Sequence, residues 1–133
     1  MEEIWKDVKG YEGLYQVSNL GRIKSYPRSG TRIKTEHIWK GNKSIFHNYY
    51  QVTFSKHNIY KNYRVHRLVA ETFLDKTQFK FLPTEDITKI NINDLVVNHK
   101  NKNTYDNRVE NLEWCTQKYN IEHKKNYRKP LGE

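Results

Sequence analysis

The chain has 133 residues, enough for one compact domain or two small lobes on a shared core and too few for a large enzyme scaffold. Lys and Arg number 24 against 15 Asp and Glu, a formal net charge of +9 with a pI near 9.6, which points to a polyanionic partner, nucleic acid first. The sequence has no long apolar run and no basic helix with a clean apolar face, which argues against a membrane, and one cysteine, Cys115, excludes an intrachain disulfide or a zinc site built from several thiolates.

Met1 is followed by Glu2, Glu3 and Ile4 rather than by a basic stretch and an apolar core, so no secretory signal is read and an intracellular location is expected. From Glu3 to Ser25, alternation around Tyr15, Val17 and Ile23 between glycine-bearing turns predicts a β-meander. Residues 29–44 are polar and basic, with Arg32, Lys34, Lys40 and Lys43 around Trp39, and read as an exposed connector or edge hairpin. Strand character returns at Tyr50 to Phe54 and at Tyr63 to Val65, with Lys56 to Lys61 as the hairpin loop. Over residues 66–74 the spacing of Leu68, Val69, Thr72 and Phe73 predicts a short buried helix. Residues 75–94 are irregular, contain Pro83 and read as a surface insertion, after which Leu95-Val96-Val97 begins a strand. Leu112 to Cys115 is a second short strand, and Thr116 to Lys125 a helix capped by Thr116, with Lys124 and Lys125 near its negative end.

Residues 96–123 carry the chemistry: strand, polar loop, strand, helix, with an imidazole ending the first strand and amide or imidazole groups on the helix. Phosphodiester hydrolysis needs a base for water, a cation to neutralise developing charge, and positioning groups. His99, Asn98 and Asn120 could supply these in a small space. Trp5, Tyr15 and Trp114 read as core aromatics, and His66, which could reach toward the site, reads from its place opening the helix as a satisfied packing or capping residue. Arg22, Lys24, Arg28, Arg32 and Lys34 form a run suited to tracking phosphates, or otherwise a solvated edge, and the net charge favours DNA contact.

Val97-Asn98-His99-Lys100, the run from Asn107 to Thr116, and Asn120-Ile121-Glu122-His123 resemble the HNH nucleases, also called ββα-metal or His-Me finger nucleases, in the branch of phage and intron homing endonucleases. Val65 to Ala70 is similar to the helix that precedes that motif, and Ile4 to Arg22 to the modular N-terminal motif often attached to such enzymes. The resemblance implies an α+β fold, a small N-terminal antiparallel sheet followed by a ββα-metal motif. The β-rich DNA-binding region would span residues 1–60 and the nuclease region 61–133, with the helix at 66–74, the insertion at 75–94 and the ββα core at 95–125. It implies a DNA endonuclease using one divalent ion, Mg²⁺ or Mn²⁺, on double-stranded DNA as a monomer that nicks or a homodimer that cuts both strands. A source in a phage or mobile element, acting in the cytoplasm of a bacterial host, goes with it.

Residue by residue, the resemblance makes His99 the general base, its other ring nitrogen held by a backbone carbonyl. Asn111 pins the loop carrying His99, with Asn107 assisting; Asn120 and Asn98 bind the metal; His123 contacts the phosphate or joins the metal shell. Lys124 and Lys125 add positive charge for DNA. The family often has an acidic residue or histidine where this chain has Asn98, so two neutral ligands should hold an ion loosely until phosphate adds its oxygen. Two other functions fit the same residues less well: a nuclease-derived protein that binds DNA without cutting it, and a structured RNA binder.

Overall fold

The computed structural model describes residues 2–26, 28–29, 32–33 and 36–127, with the side chains of 28–29, 32–33 and 126–127 left aside. Strands β1 (Trp5–Asp7), β2 (Tyr15–Ser18) and β3 (Ile23–Ser25) form the meander, followed by the two-residue ladder of β4 (Arg28–Ser29) with β5 (Arg32–Ile33). Next comes β6 (His37–Trp39), which pairs with β3 and completes a sheet of order β1-β2-β3-β6. Val17 and Ile23 face each other across β2 and β3 and are fully buried, as period-two alternation requires of a sheet with one covered face.

Strands β7 (Asn42–Lys43), β8 (Tyr50–Lys56) and β9 (Ile59–Arg64) make a second antiparallel sheet. Of the exposed connector or edge hairpin expected over residues 29–44, the second half supplies edge strands, β6 to the first sheet and β7 to the second, and Trp39 packs against the main core instead of lying exposed. The expected loop from Lys56 to Lys61 shrinks to His57 and Asn58, both with positive φ (53° and 61°), a two-residue turn whose twist matches the strands and lets Lys56 pair with Ile59. Val65 leaves the strand and opens helix α1 (Val65–Phe73), one residue from the expected start.

After α1 the chain makes two short 3₁₀ turns, Ile87–Lys89 and Ile92–Asp94, each started by an Asp or Asn side chain accepting a backbone N–H. The stretch is more than surface: Phe79, Ile90 and Ile92 pack on Ala70, Leu95 and Trp114, and the Lys80 backbone bonds to Trp114 and Thr116 along the free edge of the last strand. Strands β10 (Val96–His99) and β11 (Leu112–Cys115) pair antiparallel, joined through a 3₁₀ turn at Val109–Asn111, and helix α2 (Gln117–Tyr127) follows. Thr116 caps α2 by accepting the Tyr119 N–H at 3.1 Å.

The main core runs across both sheets, α1 and β11, from Val8 and Val17 through Phe54 and Val69 to Leu112. Tyr15 stacks on Phe54 with ring centroids 4.0 Å apart. Trp5 departs from its expected place, lying outside both core clusters with the Lys24 ammonium 4.2 Å from its ring centre. Cys115 is fully buried and its thiol is pushed up to about 12 by burial, so it behaves as a small apolar residue. Among the described residues no helix is long and apolar enough to cross a membrane.

Candidate active site

His99 closes β10 opposite Leu112, and Asn98 sits opposite Glu113. The His99 Nε2 lies 2.8 Å from Asn107 Oδ1 in a buried pair. An amide oxygen only accepts, so Nε2 carries the proton and donates, leaving the lone pair on Nδ1. The expectation that a backbone carbonyl holds this ring is thereby corrected, since the holding group is the side-chain oxygen of Asn107. Burial lowers the His99 pKa, against the Asn107 bond and the Asp106 charge that raise it, which favours the neutral imidazole.

The loop behind His99 is tied at several points. Asn111 Oδ1 accepts the Asn101 N–H at 2.9 Å, its Nδ2 donates to the Asp106 carbonyl at 2.8 Å, and its own carbonyl accepts the Lys100 N–H at 2.7 Å. Arg108 grips Asp106 and holds that carboxyl down to about 2. From the first sheet, the Asn19 carbonyl accepts the Val109 N–H at 2.8 Å. Gly21, at φ +83°, packs so closely that a Cβ there would stand 2.7 Å from the Asn107 carbonyl oxygen. The turn between β2 and β3 therefore braces the residue that holds the imidazole.

Asn98, His99, Asn120, His123 and Lys124 line one cleft of about 640 Å³, together with His66, Arg64 and Arg67. The carboxylate of Glu113 accepts from Asn98 Nδ2 at 2.8 Å, which turns the Asn98 oxygen away from Glu113. Asn120 Oδ1 is buried without a partner, and so is His123 Nδ1. Orphaned buried oxygens are costly unless something binds them, and amide oxygens suit a hard divalent cation. The donor set thus fits such an ion; no cluster of three or more His, Cys, Asp or Glu that could hold a metal occurs among the described residues.

His66 departs from the reading of it as a satisfied packing residue: its Nδ1 is buried with no partner, and its ring meets His99 edge-on at 5.0 Å. Its position opening α1 offered no signal for this, because the contact depends on how α1 crosses β10. Arg64 and Arg67 were likewise absent from the sequence candidates, as was Glu113 as the partner of Asn98. Of the expected DNA contacts, Lys124 lines the cleft while Lys125 pairs with Glu122 at 3.2 Å. Arg22 and Lys24 lie in the first sheet outside the cleft, Arg22 ion-paired with Glu3 and Lys24 3.9 Å from Glu36. Arg28 and Arg32 are placed only as backbone in β4 and β5, and Lys34 lies outside the described residues.

Two antiparallel strands and a capped helix with a histidine and asparagines converging at their junction define a ββα nuclease motif, and residues 89–121 match the HNH endonuclease family. Residues 3–55 match the NUMOD4 motif. The chain thus carries an HNH endonuclease domain and, ahead of it, a NUMOD4 motif. It is 37% identical over 118 residues to the DNA endonuclease I-HmuI of Bacillus phage SP01, a match spanning 89% of this chain and 55% of that protein. An HNH endonuclease of Acanthamoeba polyphaga mimivirus is 34% identical over 119 residues, 90% of this chain and 29% of that one. A solved structure of DNA binding and cleavage by the HNH homing endonuclease I-HmuI superposes with a TM-score of 0.65 at 36% identity, covering 96% of this chain and 59% of that chain. The chain therefore spans little more than half the length of the phage relative.

Proposed function

We propose that the protein is a metal-dependent DNA endonuclease of the homing type that hydrolyses phosphodiester bonds, with His99 as general base. The observation that carries this is an imidazole oriented by Asn107 in the same cleft as an unpartnered buried amide oxygen, that of Asn120. Asn107 keeps the proton on Nε2, so Nδ1 can take a proton from water at neutral pH. Asn98 and Asn120 would hold one Mg²⁺ or Mn²⁺, which when bound neutralises charge developing on the phosphate and leaving oxygen. Asn111 fixes the loop, His123 and Lys124 face the phosphate, and the first sheet contributes DNA contacts through Arg22, Lys24, Arg28, Arg32 and Lys34. Lys125 extends the basic end of α2 toward the duplex. One proposed His99 site per chain suits nicking by a monomer, and two-strand cutting would need a homodimer. A phage or mobile-element source, acting inside a bacterial host cell, follows the phage relative.

The competing reading, a weakened nuclease that only occupies DNA, draws on the neutral donor pair. Incubation of the full chain with supercoiled plasmid separates the two. The endonuclease nicks it with Mg²⁺ or Mn²⁺ and stops in chelator, and His99→Ala still retards DNA in a gel but leaves the plasmid supercoiled. A variant that cuts as fast as the parent removes His99 from the mechanism, and a parent that binds without cutting in either metal supports the competing reading.

A further inference from the structure

Ile45 and Phe46 are the most exposed large apolar side chains among the described residues, at 88% and 86%. Both sit on the β7–β8 connection, closed at its base by the Ser44 N–H donating to the Tyr49 carbonyl at 3.0 Å. They border a hollow that shares His47, Tyr49 and Arg64 with the catalytic cleft. The connection is tied to the proposed base by a chain of rings: His47 stacks on Tyr49 at 5.3 Å, Tyr49 meets His66 at 5.8 Å, and His66 meets His99 at 5.0 Å. Neither concavity is lined by a carboxylate, whereas Arg64, Arg67 and Lys124 line the cleft. A loop with two bare apolar side chains, set in a field that attracts phosphates, fits one partner above others: a duplex whose backbone enters the cleft and whose bases lie beside the loop.

We propose that Ile45 and Phe46 form a wedge that enters a base step next to the phosphate seated in the cleft, unstacking it and bending the backbone toward His99. The inference rests on the endonuclease reading and adds how the duplex is deformed. Proteins that insert such side chains offset the unstacking cost with the extra contact that a bent duplex permits. An internal control exists, because Ile59 and Tyr60 are also exposed, at 60% and 70%, but follow the turn at the far end of the β8–β9 hairpin. That end lies roughly 20 Å from the Tyr50 end at about 3.3 Å per residue.

The test uses the full chain carrying His99→Ala, which leaves the plasmid uncut, saturating a nicked circular plasmid that is then sealed with ligase in Mg²⁺ and stripped of protein. Base-step insertion unwinds the duplex, so the recovered circles should show a shifted topoisomer distribution. Adding Ile45→Ser and Phe46→Ser should abolish the shift while gel retardation and Tm are kept, and Ile59→Ser with Tyr60→Ser should leave it intact. On a duplex with a mismatch at the cut step, the wedge variant in an otherwise unaltered chain should regain the cleavage it loses on paired DNA. No shift with the bound parent, an unchanged shift in the wedge variant, or a concentration-dependent dimer that the wedge substitutions dissolve would each overturn the wedge. If the chain cuts plasmid but gives no shift, only the wedge fails; if it neither binds nor cuts, the endonuclease reading fails first.

Discussion

His99 can serve as a base because two effects act together: burial disfavours the imidazolium, and Asn107 accepts from Nε2 and leaves Nδ1 free of hydrogen. Removing the holding group should therefore cost more than folding energy. Asn107→Ala should slow plasmid nicking by about ten- to a hundredfold, the usual effect of losing a group that orients a reacting one, with DNA retardation kept. Nitrogen NMR should report a mixture of imidazole tautomers in place of one, and an unchanged tautomer would assign Asn107 to packing alone. A second residue-scale consequence concerns His66. Burial, with His99 and the cations Arg64, Arg67 and Lys124 adding to it, pushes its pKa down to about 3. Above the unfolded value of about 6.5 both states are neutral and pH acts little through this group. Below it, the unfolded chain takes up a proton that the folded chain refuses, so stability falls by up to about 1.4 kcal/mol per pH unit as pH drops toward the folded value. Urea midpoints measured between about pH 7 and about pH 5 should fall less steeply for His66→Gln than for the parent, and parallel curves would contradict the assignment.

At the scale of elements, the turn between β2 and β3 and the loop between β10 and β11 form one unit. Their union consists of the Asn19–Val109 backbone bond and the contact of Gly21 with Asn107. Gly21→Ala asks for a Cβ in space held by the Asn107 backbone, at a positive φ that side chains disfavour. It should lower stability by roughly 1 to 3 kcal/mol, and it should slow nicking by more than tenfold at a temperature where the variant is fully folded, since misplacing a reacting group by about 1 Å can cost about a hundredfold. A variant with reduced Tm and parental nicking would mean that the turn serves folding only. The motif at the N-terminal end is thus built into the support of the loop that follows His99.

For the molecule as a whole, the positive charge divides into two groups with different freedom. Arg22 and Lys24 are engaged by Glu3, Glu36 and the Trp5 ring, while Lys124 and Arg64, the latter 5.1 Å from the Tyr49 ring centre, are exposed at the cleft. Phosphate contacts release counterions, so the logarithm of the binding constant should fall linearly with the logarithm of salt concentration, each lost phosphate contact lowering the slope by about 0.9. Lys124→Ala should reduce that slope by about one, and Lys24→Ala by less, in fluorescence anisotropy titrations on a nonspecific duplex. Equal effects would extend the docking face from the cleft onto the first sheet.

The order of elements around the site was legible from residues alone: Asn98-His99 closing a strand, Asn111 in the return loop, and Asn120 on a helix opened by the cap Thr116. These features are local, since strand alternation and helix capping act over a few residues. What lay beyond reach were contacts between residues far apart in the chain. Tertiary packing decided that Asn107 holds the imidazole, that His66 and Arg64 share its cleft, and that Gly21 presses on Asn107 from 86 positions away. It also drew β6 and β7 into sheets, because an edge strand gains its hydrogen bonds from whichever neighbour the fold supplies. Short-range preference settles which residues can do chemistry; which of them meet depends on how the core closes around them.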